Sequence, residues 1–205
     1  MKRTFLILFL SVFLGSCPAL AELDAALVRQ QTAADCGPAA LYDALLLSDV
    51  REAVLASLSY ENFLGVYGKN RFQEGVGTEL DDVALMGKEA LQNLNFHGFS
   101  LQFLDVKPLD LDGIYRNFEE SFDQGFDPVI GIGFRTRQGE RQNGHALMIY
   151  KVQQEQDSLI LSYLDPQDLS LGELTVSRTR EVRSNTLYSD RSTPLWTLDG
   201  MIRSR

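Results

Sequence analysis

The chain has 205 residues, a length that fits one domain, since single domains commonly run to ~100–200 residues or somewhat beyond. Hydrophobic residues make up 44% and charged residues 23%, with 6 prolines and 16 glycines. Fibrous, collagen-like and disordered chains are thereby excluded, and enough apolar material remains for a packed core. Lys plus Arg number 19 against 28 Asp plus Glu, a net charge of -9, so the surface repels phosphate backbones and nucleic acid is not an expected partner. With 2 cysteines and 2 histidines, neither a disulfide framework nor a structural zinc site can be built, and no metal or other cofactor is expected.

The N-terminus reads as an address. Lys2 and Arg3 precede an apolar run from Thr4 to Leu14, which breaks at Gly15, Ser16 and Pro18 before Ala19-Leu20-Ala21. This is the pattern of a secretory signal peptide cleaved after Ala21, and the run is shorter than the ~20 residues that a spanning helix needs. Residues 22–205 then form a single domain with no membrane span. A competing reading takes Leu14-Gly15-Ser16-Cys17 as a lipoprotein box with a lipid anchor on Cys17. Either way the expected location is outside the cytoplasm of a bacterium, periplasmic or secreted. Cleavage after Ala21 makes Cys36 the lone thiol of the mature chain, in an oxidising compartment.

No internal repeat and no linker divides the chain. Ala40, Leu41, Ala44 and Leu45 recur at helical spacing, with Pro38 in a tolerated first-turn position, so a helix is predicted over Cys36 to Leu47. A second is predicted over Val50 to Leu58. A third carries the stripe Leu80, Val83, Ala84, Leu91 and Leu94, capped by Thr78 with Asp81 three residues on. A fourth covers Leu111 to Phe122. Strands are predicted at Phe99 to Leu104 and Pro128 to Thr136, followed by a polar turn from Arg137 to Gly144. His145 to Val152 and Ser158 to Leu164 read as a hairpin around Gln153 to Asp157, and shorter strands at Glu173 to Arg178 and Pro194 to Leu198 follow. Helices first and antiparallel strands second is an α+β order.

Three positions carry chemistry. Cys36 lies at a predicted helix N-terminus, where unpaired N–H groups and the positive end of the dipole favour a thiolate. His145 opens one strand of the hairpin and Asp165 closes the other. A turn centred on Glu155 makes them direct cross-strand partners on one face, with Cβ atoms ~4.5–5.5 Å apart, whereas a one-residue slip separates them. A thiolate, an imidazole and a carboxylate orienting it are the parts of nucleophilic acyl transfer. Gln30 and Gln31 lie close enough upstream for one side-chain amide to join the backbone N–H of Cys36 around a developing oxyanion.

The segment Arg29-Gln30-Gln31-Thr32-Ala33-Ala34-Asp35-Cys36-Gly37-Pro38-Ala39-Ala40-Leu41 resembles the active-site segment of the bacteriocin-processing, double-glycine-leader peptidases, a branch of the papain-like cysteine peptidases. Pro128-Val129-Ile130, Gly144-His145-Ala146-Leu147-Met148-Ile149 and Asp165-Pro166 are similar to that family's histidine strand and aspartate turn, in the same order. The likeness covers most of residues 28–167. It implies a papain-like fold, with N-terminal helices packed on a C-terminal antiparallel sheet, and peptide-bond cleavage of a peptide or protein substrate. It also implies Cys36 as nucleophile, His145 as base, Asp165 as orienting acid and Gln30, six residues before the cysteine, as oxyanion residue. Two features depart from the family. Asp35 sets a carboxylate beside the thiol, and the chain carries no nucleotide-binding motif of an ATP-driven exporter.

Blander readings stand beside these. A lone cysteine is often a buried core thiol, and Asp165 before Pro166 is a common turn former. His97, in the turn-like stretch Asn95 to Gly98, is read as structural, and the acidic surface as a solvated one. The alternative to an exported cysteine peptidase is a non-catalytic binding module on the same fold, or a related thiol amidase or acyl transferase.

Overall fold

The computed structural model describes residues 26–32, 34–71, 78–135, 141–184, 187 and 195–205. The signal segment, its cleavage point and Cys17 lie outside the described residues, as do Pro194, Thr136 at the end of a predicted strand and 137–140 of the predicted turn.

Helices come first along the chain, starting with α1 at Cys36–Leu46 and α2 at Arg51–Ser57. A single helical turn, α3 (Tyr60–Asn62), runs directly into a wider π-helical turn at Phe63–Tyr67, and α4 spans Leu80–Asn93. Strand β1 (Leu101–Asp105) precedes α5 (Leu111–Asp123), after which the elements among the described residues are strands: β2 (Val129–Arg135), β3 (Arg141–Gln154), β4 (Ser158–Asp165), β5 (Ser170–Ser177), β6 (Glu181–Ser184) and β7 (Leu195–Ser204).

Local chemistry accounts for most of these elements. Every residue of α1 from Gly37 to Leu46 is buried, as its small and apolar composition on all sides dictates. In α4 the residues Val83, Ala84, Met86, Gly87, Ala90 and Leu91 are buried, while Asp81 and Asp82 complement the helix dipole from the first turn. The predicted Thr78 cap is not used: Glu79 holds the N-cap position and makes no side-chain cap. Asp110 does cap α5, its carboxylate accepting from Gly113 N–H at 2.7 Å.

The papain-like architecture expected from the sequence is not the one formed. All strand pairings are antiparallel in the order β1-β7-β2-β3-β4-β5-β6, and β6 pairs back onto β7. The sheet therefore closes on itself as a six-stranded antiparallel barrel, β7-β2-β3-β4-β5-β6, with β1 outside and the helices against the wall, instead of presenting one face to a helical layer. Two strands explain the difference. β6 is a short polar strand that the hydrophobic pattern does not mark, and β7 runs on to Ser204 where the pattern predicted an end at Leu198. One edge of β7 is shared end to end: Trp196 and Thr197 pair with β6, and Gly200 to Ser204 pair with β1. Asp199 is an extra residue between those stretches, since Gly131 pairs with Gly200 but Ile132 with Leu198. Such a bulge turns a strand more sharply, here between its two neighbours.

Two apolar cores follow from the alternation of side chains along the strands. Inside the barrel lie Ile130, Ile132, Leu147, Ile149, Leu161, Tyr163, Leu174, Val176 and Leu198, joined by Ile114 and Phe118 of α5. Outside it, Val129, Ala146, Met148, Leu164 and Ile202 pack with α1, α2, α4 and the turn at Phe63–Tyr67. The middle of β3 is thus buried on both faces, which accounts for its continuous apolar run Ala146-Leu147-Met148-Ile149. The small side chains at Ala39, Ala40 and Ala44, all fully buried, allow α1 to lie close to the barrel wall.

Candidate active site

Cys36 is the first residue of α1, and its thiol is free and partly exposed. His145 and Asp165 are each 7% exposed, and Nε2 of the imidazole lies 2.8 Å from Oδ1 of Asp165. The Cys36 side chain lies near enough to act electrostatically on the same imidazole. The three residues proposed from the sequence are therefore in one cluster. Burial alone pushes the imidazole down, but the hydrogen bond the ring donates to Asp165, then the interaction with Cys36, then the charge of Asp165, outweigh it and carry His145 from 6.5 up to about 9. A ring held this way keeps its proton at neutral pH beside the sulfur.

The way β3 and β4 bring His145 to Asp165 differs from the direct cross-strand pairing predicted. Near the turn the register matches Gln154 with Leu159 and Lys151 with Ser162, but beyond Tyr150 it matches Ile149 with Tyr163 and Met148 with Leu164. Tyr150 is thus an extra residue, a β-bulge. One further step sets Asp165 opposite Leu147, two residues from His145, so the pair are diagonal neighbours on one face, within reach of such side chains. Without the extra residue, the same turn would set Asp165 opposite Met148 and on the other face from His145. The bulge restores the phase that the four residues between the paired Gln154 and Leu159 would otherwise spoil. Asp165 is then fixed by its own turn, Oδ1 accepting from Gln167 N–H at 2.9 Å and its carbonyl from Leu169 N–H at 2.8 Å.

Gln30 and Gln31 separate by exposure: Gln31 is exposed and Gln30 is half-buried. The Nε2 of Gln30 donates to the Thr32 carbonyl at 3.0 Å, which uses one of its two protons, and its Oε1 is buried with no partner. The segment carrying it is tied down through the backbone N–H groups of residues 28, 30, 31 and 32. Val28 donates to Asp43 Oδ1 at 2.8 Å, Gln30 to the Pro166 carbonyl at 2.8 Å, and Gln31 and Thr32 to the two oxygens of Asp35 at 2.9 Å each. Gln30 is thereby anchored directly to Pro166, next to Asp165, and through Gln31 and Thr32 to Asp35, next to Cys36.

Asp35 is the residue whose role the sequence reading left unresolved. It is fully buried and occupies the N-cap position of α1, yet its side chain makes no cap. Besides Gln31 and Thr32 N–H it accepts from Thr32 Oγ1 at 3.2 Å and from the Tyr60 hydroxyl at 2.9 Å. Burial, then the charge of Asp35 and the bond to it, raise Tyr60 far above its ordinary 10.0, so the hydroxyl stays protonated and donates. Tyr60 stacks edge-on against Tyr42 with centroids 5.4 Å apart, and Tyr42 lies 5.7 Å from Phe63. Nothing local in the sequence links Tyr60 to Cys36; only folding brings α3 to the start of α1. His97 is exposed and takes no part in the cluster.

Among the described residues no helix is long and apolar enough to cross a membrane. Compared with protein-family models and with curated proteins, the chain matches none.

Proposed function

We propose that this chain is an exported cysteine hydrolase that cleaves peptide bonds, with Cys36 as nucleophile, His145 as proton carrier, Asp165 as the carboxylate that orients the ring, and Gln30 as an oxyanion donor. One observation carries the proposal: a free thiol at the first residue of a buried helix lies beside a buried imidazole whose Nε2 is held by a buried carboxylate. The likeness of residues 29–41, 144–149 and 165–166 to the double-glycine-leader peptidases supports a peptide or protein as the substrate class. The basic-then-apolar N-terminus with Ala19-Leu20-Ala21 supports export, whether as a soluble periplasmic or secreted form or anchored at Cys17.

The steps balance without a cofactor. The Cys36 thiolate attacks the carbonyl carbon, a C–S bond forms, and the carbonyl π pair moves onto oxygen. The Cys36 N–H and the spare proton of Gln30 Nε2 are the donors for that charge, and no side chain caps the first turn of α1 to compete for its N–H groups. Collapse breaks the C–N bond as the His145 imidazolium gives its proton to the leaving amine. Water then attacks the thioester, His145 takes the proton, and the thiolate leaves. Throughout, Asp165 keeps the ring oriented and stabilises its charge.

Incubating the mature chain with a peptide library and reading products by mass spectrometry tests this. Cleavage by the native chain that is lost in Cys36→Ser supports a peptidase. Cleavage that survives Cys36→Ser overturns the assignment. A reactive thiol with no turnover of any peptide points instead to an acyl transferase or a binding module.

A further inference from the structure

We propose that Asp35 is a positioning residue that holds the Gln30 segment in its working conformation instead of capping α1, and that Tyr60 acts through it. The proposal rests on the reading of Cys36 as nucleophile and Gln30 as oxyanion donor, and assigns a role to the carboxylate that on charge alone should oppose that nucleophile.

Aspartate at an N-cap ordinarily accepts from an N–H in the first turn of its own helix. Asp35 does not; both its oxygens turn back on the preceding loop and on Tyr60. Two consequences follow for the site. The first-turn N–H groups beside the sulfur stay free of a side-chain acceptor, as an oxyanion site requires. Residues 31 and 32 are fixed to the residue bonded to Cys36, and Thr32 in turn supplies the carbonyl that holds Gln30 Nε2. The chain of contacts therefore runs Tyr60 hydroxyl, Asp35 carboxylate, Thr32, Gln30 amide. The four donors around the carboxylate also disperse its negative charge next to the thiol.

This role predicts a separation between two reactions of the same sulfur. Iodoacetamide alkylation is a displacement at carbon that develops no oxyanion. Acylation by p-nitrophenyl acetate passes through a tetrahedral oxyanion and expels p-nitrophenolate, which needs no proton. Their rate ratio isolates oxyanion stabilisation from thiol reactivity. In Asp35→Asn the side-chain amide offers donors where one of the loop N–H groups needs an acceptor. Acylation should fall by ~10–10²-fold relative to alkylation, while alkylation is unchanged or faster because a negative neighbour is gone. Tyr60→Phe, which removes one hydroxyl from Asp35, should lower the same ratio by a smaller factor, and it keeps the test available if Asp35→Asn does not fold. In Asp35→Asn combined with Gln30→Ala the ratio should be no lower than in Gln30→Ala alone, because the two act through one amide.

A purely structural role would slow both reactions together. Losses that multiply in the double variant, or a ratio unmoved by both Asp35→Asn and Tyr60→Phe, overturn the proposal while leaving the hydrolase reading intact. Failure of the native chain to react with either reagent overturns both.

Discussion

Asp43 sits in the middle of α1, fully buried, with one oxygen accepting from Val28 N–H at 2.8 Å and the other without a partner. Burial pushes its carboxyl from 3.8 up to about 8, opposed only by the bond from Val28. Between these values the folded chain holds a proton that the unfolded chain releases, so the folded state binds more protons and stability falls as pH rises from about 4 to about 8. At ~1.4 kcal/mol per unit the ceiling on this loss is on the order of 6 kcal/mol, and local relaxation and water entry bring the expected value to about 2–4 kcal/mol. Asp43→Asn keeps the acceptor for Val28 but cannot ionise. It leaves the two N–H donors of one buried amide group unsatisfied, a penalty of about 1–3 kcal/mol that does not vary with pH. Urea unfolding of native and variant chains at about pH 4.5 and about pH 8 measures the difference. The variant should be the less stable at the lower pH and should gain about 2–4 kcal/mol relative to the native chain at the higher one. A native-to-variant difference that is constant over this range, or that moves the other way, refutes the reasoning.

Three further outcomes are expected. Gln30→Ala should slow acylation by ~10²–10³-fold with little change in stability, while Gln31→Ala, whose side chain is exposed, should do little; p-nitrophenyl acetate kinetics separates them, and the reverse order removes the oxyanion assignment. His145 holds its proton up to about 9, so amide turnover should persist through neutral pH and fall as the ring deprotonates above that value. The stability from its ion-pair partners is likewise full below 6.5 and lost as pH rises through about 9, and Asp165→Asn should move both effects to lower pH in rate–pH and melting profiles. At Gly87 a Cβ would lie 2.6 Å from Leu101 Cδ1 and 2.8 Å from Leu41 Cδ2, so Gly87→Ala should destabilise by about 1–2 kcal/mol in urea unfolding despite its better helix propensity.

How far the sequence carries the account depends on the range of the interactions involved. The starts of α1 and α5, the stripe of α4 and the apolar strands β2 to β4 are local patterns, and each lies within a few residues of its predicted position. The candidate site was equally legible, because the helix start fixes Cys36 and a hairpin fixes His145 near Asp165. The register between those two was not. A bulge at Tyr150 has no signature in composition, yet it decides which face Asp165 occupies. Closure of the barrel depends on β6, whose Glu181-Val182-Arg183-Ser184 carries one apolar residue, and on pairings such as Val182 with Trp196 that no local pattern encodes. The turn from Tyr60 to Tyr67 was hidden by Gly65 and Gly68, residues that usually punctuate a helix. With it went the partnership of Tyr60 and Asp35, and so the explanation of why an acid can stand beside the thiol.

The central claim is that Cys36 is an activated thiol paired with His145, and its rate of alkylation by iodoacetamide in the native chain near pH 6 tests it most directly. A sulfur held at a helix start against an imidazolium should react rapidly there, and His145→Ala should slow it by ~10-fold or more, with Asp165→Asn having a smaller effect because the carboxylate only orients the ring. Folding should survive both changes, as near-UV circular dichroism would register. Reaction of Cys36 only after unfolding, or a native rate near pH 6 that His145→Ala leaves unmoved, would contradict the account.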